Sequence, residues 1–180
     1  METALERAAR GRGAAVAAGG LAVALVAACV VAFGVTGRGL VASYLCVVLV
    51  VLSLIDLRER RLPNRIVLPS AAAVLAAQIA LEPGRALEWT LAALGAALFL
   101  FVPILVYPAG MGMGDVKLAL LLGAALGTAV VPALVIGLLA SFVVGVGLIA
   151  ARGLRARKAY IPFGPFLAFG AITALFVEAI

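Results

Sequence analysis

The sequence predicts an all-α, polytopic membrane protein with about seven transmembrane helices and a cytoplasmic N-terminus. Hydrophobic residues make up 66% of the 180-residue chain and charged residues only 12%, which is far from the composition of soluble domains. The apolar residues form continuous runs rich in Ala, Leu and Val, whereas a membrane β-barrel alternates apolar and polar residues along short strands. We therefore expect one transmembrane domain over residues 1–180, of which 1–13 form a short basic cytoplasmic N-terminus.

Seven apolar segments follow one another along the chain, and the longer ones can cross about 30 Å of hydrocarbon at about 1.5 Å per residue. They are residues 14–35, 40–55, 66–81, 90–108, 116–127, 128–151 and 163–180. The first segment is too long for the apolar region of a signal peptide, so we expect a retained anchor. The fifth is short and reaches spanning length only if residues 113–129 are included. We expect the many small residues to let helices approach closely.

Basic residues distinguish the two sides of the membrane. If the N-terminus is cytoplasmic and each segment crosses, the outer side holds two of the 14 Lys and Arg residues, Arg38 and Arg85. The twelve on the cytoplasmic side are Arg7, Arg10, Arg12, Arg58, Arg60, Arg61, Arg65, Lys117, Arg152, Arg155, Arg157 and Lys158. This split follows the positive-inside rule, so the net charge of +6 requires no nucleic-acid partner.

Two aspartates lie where apolar segments meet cytoplasmic loops. Asp56 ends the second segment and Asp115 precedes the fifth. Carboxylates beside membrane segments are costly and therefore functional candidates, and two that share a site can activate water without metal or histidine. The chain contains no His. Taken alone, Asp115 also fits a helix cap after a glycine turn, and the basic residues after Asp56 fit a solvated loop that sets topology.

Glycines and prolines accompany these aspartates. Gly112 and Gly114 permit a tight, unusual backbone and leave open space beside Asp115. Pro63 and Asn64 mark a turn or the start of the third segment. The stretch Ile161-Pro162-Phe163-Gly164-Pro165-Phe166 either bends the backbone at the membrane edge or simply starts the last helix.

The two cysteines, Cys29 and Cys46, lie within apolar segments and form no Cys-x-x-Cys pattern. We therefore expect two small core residues rather than a zinc site or a disulfide framework.

Together these motifs resemble the type IV prepilin peptidase family, intramembrane aspartic proteases of the Gly-x-Gly-Asp type. The motifs are Asp56…Arg61-Leu62-Pro63-Asn64, Gly112-Met113-Gly114-Asp115-Val116-Lys117 and Ile161-Pro162-Phe163-Gly164-Pro165-Phe166. They stand in the family's order, and the resemblance extends from about residue 40 to the C-terminus. It implies that Asp56 and Asp115 are catalytic. It also implies a set of supporting or substrate-binding residues, namely Pro63, Asn64, Gly112, Gly114, Lys117, Pro162, Gly164 and Pro165.

The resemblance also implies a substrate and a location. The substrate is a prepilin or pilin-like precursor of a type IV pilus or related secretion system, with a hydrophobic N-terminal helix in the lipid bilayer. The enzyme removes its short basic leader at the cytoplasmic face of the bacterial or archaeal inner membrane, without metal or cofactor. Longer family members carry a cytoplasmic insertion and also methylate the new N-terminus. Here a few residues around Gly37-Arg38-Gly39 join the first two segments, so we expect peptidase activity alone.

The expected reaction is hydrolysis without a covalent intermediate, in which one aspartate is ionised and the other protonated. The helix dipole favours a charged Asp115 at a helix start over a charged Asp56 at a helix end, so we expect Asp115 to be the base. An alternative is a proton- or cation-coupled transporter that uses the two membrane-edge aspartates, and a third is a structural membrane subunit. Neither alternative accounts for all three motifs.

Overall fold

The computed structural model describes residues 4–107, 112–152 and 162–177. In this part of the chain the secondary structure consists of helices, with no strands. The α-helices are α1 (Ala4–Phe33), α2 (Gly37–Glu59), α3 (Asn64–Leu81), α4 (Ala86–Val106), α5 (Met113–Leu126), α6 (Val130–Arg152) and α7 (Gly164–Val177). The ends of the fourth and last apolar segments, at residues 108 and 178–180, lie outside the described residues. So do Ile161, Arg155, Arg157 and Lys158.

Within the described ranges, five helical stretches are long and apolar enough to cross a membrane. They are Gly13–Phe33, Gly37–Glu59, Asn64–Leu81, Pro83–Val106 and Met113–Ala151. The last stretch contains both α5 and α6, and α7 is a shorter apolar helix of 14 residues. The prediction of an all-helical, polytopic membrane protein is confirmed, whereas seven crossings and a cytoplasmic N-terminus stay predictions.

Helix α5 occupies the centre of the bundle, where 10 of its 14 residues are buried. It packs most extensively on α4 and α3 and also contacts α7 and α2. Gly123 lies so close to α4 that a Cβ atom would collide with the backbone of Ala92, and Gly170 of α7 meets the backbone of Ala133 in α6 in the same way. The expectation that small residues let helices approach closely is confirmed at these two positions.

Several helix boundaries differ from the limits of the apolar segments. Helix α1 begins at Ala4 because Ala, Leu, Glu and Arg are good helix formers even where the sequence is polar. Helix α2 continues past residue 55 to Glu59, so Asp56 lies inside it. Helix α5 begins at Met113, three residues before the apolar segment, which places Asp115 in its first turn. Both aspartates therefore stand on helices.

The two ends of the bundle carry different polar groups. At the end where α2 begins, Glu82 accepts hydrogen bonds from Arg38 Nε at 2.7 Å and from Arg85 Nη1 at 3.1 Å. These hydrogen bonds lower the pKa of Glu82 below its ordinary value, with that from Arg38 contributing most. At the opposite end, α2 finishes near Asp56 and α5 starts near Asp115. The basic residues predicted to lie outside are thus far from the two aspartates.

In the described residues, Cys29 of α1 and Cys46 of α2 are fully buried, with their sulfur atoms 3.7 Å apart. They pack among apolar side chains between the two helices, as expected for core residues.

Candidate active site

Asp56 and Asp115 line one cavity of about 310 Å³. Its wall is formed by the end of α2, the segment that leads to α3, and the start of α5. The residues that line it are Asp56, Arg60, Arg61, Leu62, Asn64, Gly112, Met113, Gly114, Asp115 and Lys117. Asp56 is 4% exposed and Asp115 is 7% exposed, so both carboxyl groups are shielded from solvent. The fold thus brings together two aspartates that are 59 residues apart in the sequence.

Arg60 ends α2 in a left-handed conformation, with φ of 55°. Its backbone N–H donates to the carbonyl oxygen of Asp56 at 2.9 Å. This conformation is uncommon for a residue other than glycine, and it stops the helix one turn after Asp56. The chain that follows then runs along the cavity, which is why Arg61 and Leu62 join its wall.

Gly164, which belongs to the Pro- and Gly-containing motif at residues 161–166, contacts the site through its backbone. It is the first residue of α7, and its N–H donates to Oδ2 of Asp56 at 3.0 Å. A Cβ atom at Gly164 would lie 2.8 Å from the same oxygen, closer than such contacts are found. Any other residue at this position would therefore displace Asp56 or α7.

Asp115 accepts a hydrogen bond from the backbone N–H of Gly112 at 3.3 Å, and its own N–H donates to the Gly112 carbonyl at 3.1 Å. The predicted unusual backbone at the two glycines is absent, because Gly112 has φ of −85° and Gly114 lies in ordinary helical backbone. Gly114 serves close packing instead. A Cβ atom there would lie 3.0 Å from Cβ of Leu62, so glycine lets the segment after α2 lie against α5.

The other predicted supporting residues fall into two groups. Lys117 and Asn64 line the cavity, and Lys117 Nζ donates to Asn64 Oδ1 at 2.8 Å. The three prolines are not among the lining residues and instead stand at helix starts. Pro63 precedes α3, and Pro162 and Pro165 lie at the beginning of α7, where proline is well tolerated.

Sequence reasoning did not single out Leu62 or Met113 as site residues, although both line the cavity. For Leu62 the available signal was an apolar side chain within a polar loop. Across residues 4–107, 112–152 and 162–177, His, Cys, Asp and Glu form no group of three or more that would hold a metal ion. The chemistry that the cavity itself offers is that of two shielded carboxyl groups, which favour sharing one proton.

Comparison with known proteins agrees with the motifs. A sequence model described as the type IV leader peptidase family matches residues 43–150, more than half of the chain and a stretch that contains both aspartates. Two proteins named prepilin leader peptidase/N-methyltransferase, from two strains of Burkholderia pseudomallei, are each 34% identical over 159 residues, which is 85% of this chain and 51% of theirs. The chain thus spans about half the length of these curated relatives. No solved structure matches it. On the family match and this identity, the chain belongs to the type IV leader peptidase family.

Proposed function

We propose that this protein is an intramembrane aspartic endopeptidase that removes the basic leader from prepilin or pilin-like precursors at the cytoplasmic membrane face. The observation that carries the proposal is the shared cavity of Asp56 and Asp115 at one end of the helical bundle. Membership of the leader peptidase family supports the same reaction class. It also disfavours the transporter alternative, which the aspartates alone leave open.

The two carboxyl groups supply complementary roles. Because two neighbouring carboxylates do not both ionise cheaply, the pair holds one proton at working pH. The ionised aspartate takes a proton from water, and the protonated aspartate donates a hydrogen bond to the scissile carbonyl. Water adds to the carbonyl carbon, and the tetrahedral intermediate then collapses as a proton passes to the leaving amine. No bond forms between enzyme and substrate.

The position of the cavity suits a substrate that is itself anchored in the membrane. Asp56 lies in the last turns of one apolar helix and Asp115 in the first turn of another. A precursor's hydrophobic helix beside the bundle would place its junction with the polar leader at this same depth. Cleavage at that junction would leave the helix in the bilayer and release the leader into the aqueous phase.

We further propose that the protein does not methylate the product. Only residues 34–36 separate α1 from α2, so this connection is too short to form a binding pocket of its own. A binding site for a polar methyl donor requires several convergent polar groups in a cavity. The two Burkholderia proteins bear a name that includes N-methyltransferase and are about twice as long as the stretch they share with this chain.

One reconstitution tests both proposals. The purified protein is placed in liposomes with a pilin precursor and labelled S-adenosylmethionine, and the product is analysed by mass spectrometry and N-terminal sequencing. We expect cleavage at the junction of leader and hydrophobic helix, without label. Enzyme-dependent label on the new N-terminus would contradict the second proposal. Proton- or cation-driven flux without cleavage would contradict the first and favour a transporter.

A further inference from the structure

We infer that the backbone N–H of Gly164 holds Asp56 as the ionised member of the pair, so that Asp56 is the general base and Asp115 carries the proton. Gly164 is thereby a positioning residue, which acts through Asp56 and not on the substrate. The inference rests on the proposed peptidase function and assigns roles within it.

The contact comes from a helix start. Gly164 is the first residue of α7, and amides in a helix's first turn have no acceptor within their own helix. Its N–H therefore donates to Asp56 Oδ2 without disrupting α7, at 3.0 Å and in a buried position. A hydrogen bond to a carboxylate stabilises the charged form, and the positive end of the α7 dipole adds to this effect.

The hydrogen bond that Asp115 accepts stabilises a negative charge less than the one that Asp56 accepts. Its amide donor, Gly112, is 3.3 Å away and only partly buried. Once Asp56 is ionised, the neighbouring negative charge opposes ionisation of Asp115. The sequence-based expectation of the opposite roles considered only the helix that carries each aspartate. The structure adds α7, whose start faces Asp56 although Asp56 itself stands near the end of α2.

Basic side chains line the cavity as well. Arg60 and Arg61, between α2 and α3, and Lys117 on α5 line the same cavity as both aspartates, so they favour negative charge on the pair as a whole. The residues of α7, Gly164–Val177, include no charged side chain. The buried amide of Gly164 is a contact that Asp56 makes and Asp115 does not.

The sharpest test removes this N–H. Incorporation of glycolic acid at position 164 by nonsense suppression replaces the peptide link with an ester and adds no side chain. The acidic limb of the kcat/KM profile reports ionisation of the base in the free enzyme. We expect this limb to move about one to two pH units higher, the equivalent of one hydrogen bond to a charged group. We also expect KM to stay within about twofold, because Gly164 acts through Asp56 and not on the substrate.

Two alanine variants separate this role from helix packing. Gly164→Ala forces Asp56 away from the amide and should move the acidic limb in the same direction as the ester. Gly170→Ala obstructs the packing of α7 on α6 instead, so it should lower stability without moving the limb. The inference would be overturned if neither position-164 variant shifted the acidic limb of the kcat/KM profile. It would also be overturned if Gly170→Ala shifted this limb by the same amount. Failure of the unmodified protein to cleave at all would instead refute the proposed function.

Discussion

Lys117 donates a hydrogen bond from Nζ to Oδ1 of Asn64 at 2.8 Å and so links the start of α5 to the start of α3. Both residues line the cavity that Asp56 and Asp115 share. Because α3 and α2 are joined by the segment that forms one wall of the cavity, this contact fixes the distance between the wall and α5. It also keeps the positive charge of Lys117 in the lining of the cavity that the two carboxyl groups share.

We therefore expect Lys117→Met and Asn64→Leu each to lower kcat/KM for precursor cleavage by about tenfold. This corresponds to about 1.5 kcal/mol, the lower end for a hydrogen bond to a charged group, because the contact is exposed to solvent. If the two residues act through their mutual contact, the double variant should be little worse than either single variant. Effects that multiply in the double variant would show that they act independently.

Gly123→Ala should destabilise the bundle by about 1–3 kcal/mol, the usual cost of forcing extra volume into a packed interior. The added methyl group would meet the backbone of Ala92, which has no flexible side chain to move aside. Gly95→Ala in α4 is the matched control, since a Cβ there meets no atom within 4 Å. Thermal unfolding in detergent, followed by helicity, measures both. Equal stability of the two variants would contradict the close packing of α4 on α5.

Cysteine labelling tests the proposed orientation in the membrane. Arg61 and Arg85 are both exposed, and a third site, position 155, lies outside the described residues. The native Cys29 and Cys46 are fully buried, so their background reaction with a membrane-impermeant thiol reagent should be low. We expect labelling in intact cells at position 85 but not at 61 or 155. The reverse pattern would place the cavity on the side away from the cytoplasmic leader.

The positions of the helices followed from the sequence because continuous apolar runs of spanning length leave few other structures in a membrane. Helix ends were less predictable. Asp56 lies inside α2 and not in a loop, since polar residues continue a helix as readily as apolar ones when they are good helix formers. The apolar pattern indicates which residues lie in the membrane, but it does not indicate which hydrogen bonds end a helix.

The two aspartates of the site were predictable from the sequence, but their contacts were not. The motifs pointed to Asp56 and Asp115 through the cost of carboxylates beside apolar segments. The contact of Asp56 with Gly164 spans 108 residues and uses a backbone group, which no residue type reveals. Likewise, the need for glycine at position 114 arises from the approach of Leu62, a tertiary contact that the local sequence does not record.

Cleavage by Asp56→Asn and Asp115→Asn in reconstituted membranes tests whether both carboxyl groups are needed for hydrolysis. Each substitution keeps the shape of the side chain and removes its ability to ionise. We expect each to lower kcat at least about a hundredfold while helicity and membrane insertion are unchanged. Glu59→Gln is the matched control, because Glu59 is an exposed acid in the same helix as Asp56 and does not line the cavity, and it should cleave normally. Near-normal cleavage by either aspartate variant would contradict the two-carboxylate mechanism.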